Sequence, residues 1–112
     1  MMPMDNKNVD EVTFEEALGM ASGRQAKLVW IGREPVEYIR GLLDLKEEMM
    51  TGIDPHALMA MEKEEAERLK GSVFVCYHGN SSRAAAKILK DKFGVESYSM
   101  KGGVTAIVGE IF

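Results

Sequence analysis

The sequence is poor in cysteine and histidine, which bind metals through a thiolate or an imidazole. It has one cysteine, Cys76, and two histidines, His56 and His78. A single cysteine excludes an internal disulfide, and it also excludes a structural zinc site built on several thiolates. We therefore expect no metal site. Cys76 is either an inert packing residue or the centre of the chemistry.

The sequence also lacks a long apolar run and an excess of positive charge. No apolar stretch approaches the about 20 residues that a membrane-spanning helix needs. The chain has 14 lysines and arginines against 18 aspartates and glutamates, so its net charge is −4. This net charge argues against the overall basic surface expected of a protein that binds nucleic acid or anionic lipid, so any positive region must be local. The N-terminal segment is too polar for a signal peptide. These features predict a cytoplasmic protein that binds neither nucleic acid nor membranes.

The length of 112 residues suits one hydrophobic core and is too short for two. Hydrophobic residues make up 46% and charged residues 29% of the chain, which is close to the average of globular domains. We predict a single domain over residues 1–112. Residues 1–8 show no apolar period, which is typical of a flexible tail.

Two continuous apolar runs predict the centre of a sheet. Residues 26–31 and 72–76 are rich in strand formers, as are parallel strands covered on both faces. A third short strand is predicted over residues 95–100. The closing segment 104–112 leaves helix and strand open.

Helix signals occur between these runs. Capping residues and apolar periodicity predict helices that begin near Thr13, near Pro35 and near Ser81. One long helix is predicted between Pro55 and Gly71. The alternation of strands and helices predicts an α/β domain with a mainly parallel sheet. Its functional crevice would lie at the carboxyl ends of the strands.

Residues 76–83, between the second strand and the following helix, concentrate the residues that carry chemistry. Gly79 permits a tight turn whose backbone N–H groups point inward, and the next helix directs its positive end at the same place. Such a cradle binds anions, and the thiolate of Cys76 is an anion. His78 and Arg83 add further donor or positive groups. A buried structural cysteine needs none of these neighbours, so the pattern favours an activated nucleophile.

The loop Cys-Tyr-His-Gly-Asn-Ser-Ser at residues 76–82 closely resembles the active-site loop of the small single-domain rhodaneses, the thiosulfate sulfurtransferases. Residues 28–38 are similar to the family's strand with its Arg-Glu turn and following Glu-Tyr helix. Residues 95–103 are similar to its late strand and Gly-Gly turn. The resemblance extends from about Thr13 to Ile107. It implies a rhodanese-like three-layer domain, in which helices flank a central, mainly parallel sheet.

The resemblance also implies a reaction. A sulfane sulfur would move from thiosulfate, or a similar small anionic donor, to cyanide or a thiol through a persulfide on Cys76. A thioredoxin-like protein is one candidate acceptor, and no cofactor is required. The residues expected to hold the charged sulfur or attract the donor are Tyr77, His78, Gly79, Asn80, Ser81, Ser82, Arg83 and Arg33.

The sequence departs from the family pattern in two places near the site. Ile31 stands where the family usually has an aspartate, so Arg33 lacks the carboxylate that would help to position it. Residues 44–61 follow a sequence of their own and are rich in methionine, which we interpret as core filler.

Two other functions are compatible with this pattern. A cysteine-dependent phosphatase also places its cysteine in an amide-lined loop, but the position that such enzymes fill with a phosphate-binding arginine holds Ser82 here. A binding or regulatory module with the same fold and little turnover would be consistent with Ile31 and with the unusual segment 44–61.

Overall fold

The computed structural model describes residues 10–23 and 26–109. The predicted tail, residues 1–8, lies outside the described residues. The strands are β1 (Asp10–Val12), β2 (Leu28–Ile31), β3 (Met50–Ile53), β4 (Val73–Val75) and β5 (Tyr98–Met100). The helices are α1 (Phe14–Ser22), α2 (Val36–Leu43), α3 (Pro55–Met59), α4 (Lys63–Arg68), α5 (Asn80–Phe93) and α6 (Thr105–Val108), and a 3₁₀ turn spans Glu47–Met49.

The five strands form one sheet in the order β1-β5-β4-β2-β3, and every pairing is parallel. Leu28 of β2 is in register with Met50 of β3 on one side and with Val73 of β4 on the other. The α/β class and the parallel sheet predicted from the sequence are therefore confirmed.

Two apolar clusters cover the two faces of the sheet. Side chains alternate along β2, so that Leu28 and Trp30 join one cluster while Val29 and Ile31 join the other. The first cluster includes residues of α1 and α2, and the second includes residues of α3, α4 and α5. Helices thus cover both faces of the sheet, which confirms the predicted three-layer arrangement. Burial on both faces also explains the continuous apolar run in the central strands.

The predicted helix starts are largely correct, and a glycine ends the longest helix. Thr13 caps α1 in a capping box with Glu16, in which the two residues exchange hydrogen bonds of 2.8 and 3.1 Å. Gly94 ends α5 in the left-handed conformation. Local signals are sufficient at both positions because they satisfy the otherwise unpaired backbone groups of a helix end.

The prediction of one long helix between Pro55 and Gly71 is wrong. The segment contains two short helices, α3 and α4, separated by Ala60, Met61 and Glu62. Met61 is 8% exposed and packs in the second cluster. The N–H of Glu62 donates to the side chain of Glu65 at 3.1 Å, as at a helix start. Burial of Met61 and this new cap together interrupt the helix.

The methionine-rich segment contributes an edge strand that sequence periodicity did not indicate. Met50 begins β3 and is fully buried, which agrees with its interpretation as core filler, whereas Met59 is exposed. Arg40 of α2 donates to the carbonyl of Met50 at 2.8 Å. No helix among the described residues is long and apolar enough to cross a membrane.

Candidate active site

The candidate site lies at the switch point of the sheet. From β2 the chain passes through α2 to β3 on one side, and from β4 it passes through α5 to β5 on the other. The carboxyl ends of neighbouring β2 and β4 therefore flank the crevice in which open α/β sheets bind ligands. Arg33 follows β2 and Cys76 follows β4. The topology brings these two candidate residues to one crevice.

The sulfur of Cys76 accepts hydrogen bonds from main-chain donors. The N–H of Gly79 lies 3.0 Å from Sγ, and the N–H of Ser82 lies 3.3 Å from it. The neutral thiol in turn donates to Oγ of Ser82 at 3.4 Å. Ser82 belongs to the first turn of α5, so the positive end of the helix dipole acts on the same atom. The described geometry thus contains an amide cradle that can stabilise a thiolate.

Gly79 makes the turn into α5 possible. Its φ of +94° lies in the left-handed region, which L-residues with a side chain rarely adopt. A Cβ at this position would come within 3.2 Å of the backbone nitrogen of Gly102. A glycine is therefore needed both for the turn and for its contact with the following Gly-Gly turn.

The Gly-Gly turn, Gly102 and Gly103, packs directly against the backbone of the cysteine loop. The amide of Val104 donates to the carbonyl of Cys76 at 2.9 Å, and the amide of Thr105 donates to the carbonyl of Tyr77 at 3.0 Å. A Cβ on Gly103 would overlap both of these carbonyl oxygens. The close approach of the two backbones explains why this turn accompanies the loop.

Two buried hydroxyl groups, those of Ser82 and Ser99, lie on the sheet side of the sulfur. Oγ of Ser82 is 2.7 Å from Oγ of Ser99 in β5, and both serines are fully buried. Ser82 donates to the carbonyl of Gly79 at 3.2 Å. Since that bond uses the single hydroxyl proton of Ser82, Ser99 is the donor within the pair. The sulfur of Cys76 is thereby connected through Ser82 to the central sheet.

Cys76 is 4% exposed but lines a cavity of about 350 Å³, a size within the range of small-ligand sites. The walls come from the segments that follow β2 and β4. They are Ile31, Gly32, Arg33, Glu34, Tyr77, His78, Asn80 and Ser81. The cavity thus offers one guanidinium, one carboxylate and several neutral hydrogen-bonding groups.

Tyr77 forms part of the cavity wall in a neutral state. Its ring packs edge-on against Trp30, with centroids 5.1 Å apart and an interplanar angle of 84°. Burial raises the pKa of Tyr77 above its ordinary value of 10.0, and the carboxylate of Glu34 raises it further. The phenol therefore remains protonated at neutral pH.

His78 lies at the exposed rim of the loop. Its Nδ1 is 3.4 Å from the hydroxyl of Thr105, which also donates to the carbonyl of Tyr77 at 3.0 Å. Thr105 therefore connects the rim of the site with the end of the Gly-Gly turn.

Comparison with known proteins decides the family. The chain is 36% identical over 74 residues to the thiosulfate sulfurtransferase GlpE of Pseudoalteromonas translucida. The matched stretch spans 66% of this chain and 66% of that protein, about two thirds of its length. The chain belongs to the single-domain rhodanese family. No protein-family model matches the sequence.

Two solved structures share the rhodanese-like fold. A rhodanese-related protein from Thermoplasma volcanium has a TM-score of 0.58 and 24% identity, with 92% of this chain and 94% of that chain covered. An uncharacterized protein from Saccharomyces cerevisiae has a TM-score of 0.61 and 16% identity, with 90% and 92% covered. At these identities the comparison concerns the fold alone.

The two candidate arginines of this rhodanese differ in position. Arg33 lines the cavity beside Cys76. Arg83 lies one residue beyond Ser82 on α5, and its Nε is 3.8 Å from the carboxylate of Glu11 in β1. Arg83 is not among the described residues that line the cavity. The structure thus brings together the other candidate residues around the sulfur and directs Arg83 toward the edge of the sheet.

The departure at Ile31 leaves the site without one expected carboxylate. Ile31 is 3% exposed and packs with Val29 and Leu58 in the second cluster. The described residues contain no group of three or more His, Cys, Asp or Glu side chains that could hold a metal ion.

Sequence reasoning did not identify Ser99, Thr105 or Glu34 as part of the site. Ser99 contacts Ser82 across two neighbouring elements, and Thr105 contacts the loop from a distant segment. Neither contact has a local sequence signal. Glu34 follows Arg33 directly and belongs to the family-like turn, which is the signal that would have found it.

Proposed function

We propose that this rhodanese is a sulfurtransferase that moves a sulfane sulfur from thiosulfate, or a similar anionic donor, to cyanide or a thiol through a persulfide on Cys76. The observation that carries the proposal is the pair of amides, from Gly79 and Ser82, directed at Sγ at 3.0 and 3.3 Å. Amides fixed in this way stabilise negative charge on sulfur without reorganisation. The thiosulfate sulfurtransferase at 36% identity supports the same reaction class.

The first step would form the persulfide. The Cys76 thiolate attacks the outer sulfur of thiosulfate, a new S–S bond forms, and the S–S bond of the donor breaks with its electron pair leaving on sulfite. The persulfide retains one negative charge on its terminal sulfur. The amide cradle that holds the thiolate remains beside it and limits the energetic cost of this intermediate.

The second step would return the enzyme to its thiolate. Cyanide attacks the terminal sulfur of the persulfide, the enzyme S–S bond breaks, and thiocyanate leaves. A thiol acceptor would take the sulfur in the same way and become a persulfide. Reduced thiols of the cytoplasm would be available for this role.

Access of the donor would depend on the cavity residues. Arg33 supplies a guanidinium for an anionic donor, and Asn80 and Ser81 supply neutral hydrogen bonds. Arg83, at 3.8 Å from Glu11, would contribute less because its charge is partly offset.

The test is intact-mass measurement after incubation with thiosulfate. We expect a mass gain of one sulfur atom on the native chain, removed by cyanide with release of thiocyanate. The Cys76→Ser variant keeps the size of the side chain and should gain no sulfur. An unmodified native chain, or an adduct that persists in Cys76→Ser, would contradict the proposal.

A binding or regulatory module is the second candidate. It is favoured by Ile31, which is buried where a carboxylate would help to position Arg33. In that case Cys76 would react with an alkylating reagent but would accept no sulfur from thiosulfate or from polysulfide.

The phosphatase hypothesis has less support. Ser82 occupies the position of the required arginine, and its N–H donates a hydrogen bond to the sulfur of Cys76. Hydrolysis of an aryl phosphate that depends on Cys76 would reverse that ranking.

A further inference from the structure

A second and larger cavity lies at the amino ends of the strands, opposite to the candidate active site. Its volume is about 930 Å³, and its lining includes Lys27 and Ser72, which directly precede β2 and β4. Cys76 directly follows β4. At a rise of about 3.3 Å per strand residue, Ser72 and Cys76 lie roughly 13 Å apart. The cavity is therefore separate from the candidate active site.

Positive charge dominates this cavity. Lys27, Lys46, Arg68 and Lys70 line it, together with the carboxylate of Glu48. Within the described part of the chain, none of the four cationic side chains forms a hydrogen bond or an ion pair. The protein as a whole carries a net charge of −4. All four side chains are exposed, and together they create a local positive potential that attracts an anionic ligand.

Ser72 adds a neutral polar group to the cavity wall. It is 4% exposed and lines the cavity. Its amide donates to the carbonyl of Leu69 at 3.0 Å, and its carbonyl accepts from Tyr98 at 2.8 Å. Its hydroxyl forms no hydrogen bond with any described residue. The hydroxyl can therefore donate to, or accept from, a ligand atom in the cavity.

Apart from Ser22 and Thr51, the remaining described lining is apolar. Ala21, Ala26, Val29, Met49 and Leu69 contribute to the lining. A volume of about 930 Å³ is at the upper end of the range for organic ligands. A small inorganic anion would leave the apolar wall without contacts.

We propose that this cavity binds an organic phosphate with several negative charges and an apolar group, of the nucleoside triphosphate class. The phosphates contact Lys46, Arg68 and Lys70, the hydroxyl of Ser72 bonds to a ligand oxygen, and the apolar group packs on the alanine and methionine wall. The proposal does not depend on Cys76 or on sulfur transfer.

Calorimetric titration with ATP at low ionic strength, without divalent metal, tests the proposal. We expect Lys46→Glu and Arg68→Glu each to weaken binding roughly tenfold or more, since each removes a charge-assisted contact. Lys63→Glu is the matched control, because it makes the same charge change at the other end of α4 and outside the described lining. Ser72→Ala should weaken binding by a smaller factor, about threefold.

Further titrations identify the site and the ligand class. Alkylation of Cys76 should leave ATP binding unchanged, and a loss would assign the anion to the active-site loop instead. Tripolyphosphate binding as tightly as ATP would overturn the organic ligand class. Tight binding of a single-stranded oligonucleotide with no binding of ATP would identify a nucleic-acid surface and overturn the proposal. The absence of ATP binding would also overturn the proposal. The same would follow if Lys63→Glu weakened ATP binding as much as Lys46→Glu and Arg68→Glu do.

Discussion

At the scale of single residues, the hydrogen bonds around Cys76 extend to a hydroxyl group that the sulfur does not contact, that of Ser99. Ser99 donates to Ser82 at 2.7 Å, and Ser82 contacts the sulfur. A donated hydrogen bond polarises Ser82, which makes its own proton a better donor to a thiolate when it turns toward sulfur. We therefore expect Ser99 to act as a positioning residue through Ser82.

The Ser99→Ala variant tests this connection. We expect alkylation of Cys76 by iodoacetamide at neutral pH to slow by about twofold, because one bond of the chain is lost. Ser97→Ala is the control, since the Ser97 hydroxyl is buried in the same segment without a hydrogen-bond partner among the described residues. An unchanged alkylation rate in Ser99→Ala, or equal slowing in both variants, would contradict the role of Ser99.

The pH dependence of Tyr77 gives a second prediction at this scale. Its raised pKa comes first from burial and then from Glu34. In Glu34→Gln the absorbance titration of Tyr77 should move to lower pH but stay above the ordinary value of about 10, because burial persists. Comparison with Tyr77→Phe assigns the signal among the three tyrosines. An unchanged titration in Glu34→Gln would exclude the electrostatic contribution.

The raised pKa of Tyr77 also fixes the sign of its effect on stability. Between the unfolded and folded pKa values of Tyr77, the folded chain retains a proton that the unfolded chain has lost. The contribution is thus fully present below pH about 10, and it is lost as the pH rises through the folded pKa. Chemical denaturation of the native chain and of Tyr77→Phe across this alkaline range measures the difference.

At the scale of elements, the turn between β4 and α5 is shaped by one glycine. Gly79 and Gly94 both have positive φ, but only a Cβ at Gly79 would contact another backbone, that of Gly102. We expect each alanine variant to lose about 1–2 kcal/mol in the free energy of unfolding, from the left-handed conformation. Gly79→Ala should in addition slow persulfide formation and Cys76 alkylation.

Gly94→Ala controls for the conformational effect, because no described atom lies within 4 Å of the position that its methyl group would take. Denaturant unfolding and alkylation rates, measured on the same samples, separate stability from reactivity. If Gly79→Ala reacted as fast as Gly94→Ala, the turn would not be what orients the amides toward the sulfur.

The elements differ in how far the sequence predicts them. The apolar run of β2 and the capping box at Thr13 are local signals that tertiary packing reinforces, so both predictions are correct. The break between α3 and α4 depends on burial of Met61 against the second cluster. Edge strand β3 depends on pairing with β2. Both are tertiary effects, which helical spacing or strand alternation in the sequence does not contain.

At the scale of the whole molecule, the strand order determines which residues meet. Alternating strands and helices predict a crevice at the carboxyl ends but not the order β1-β5-β4-β2-β3. This order places Arg33 beside Cys76, and it pairs β1 with β5 so that Glu11 lies within reach of Arg83. The sequence predicts the same role for Arg33 and Arg83, but their surroundings differ in the structure. Long-range strand pairing determines those surroundings.

Long-range charge gives a prediction that uses this difference. Arg33→Ala and Arg83→Ala each change the net charge from −4 to −5, so both increase repulsion of a thiosulfate dianion at a distance to the same extent. Of the two, Arg33 lines the described cavity. At low salt we expect Arg33→Ala to slow persulfide formation about fivefold and Arg83→Ala less than twofold, since an exposed ion pair has little effect.

Ionic strength separates the local from the overall field. Added salt screens exposed charges beyond about 10 Å at 0.1 M, which relieves the repulsion between an acidic protein and the donor. The second-order rate of persulfide formation should therefore rise more steeply with salt in Arg33→Ala than in the native chain, with Arg83→Ala close to native. Equal salt slopes for the two variants would mean that net charge alone governs donor access, and Arg33 would then have no role in attracting the donor.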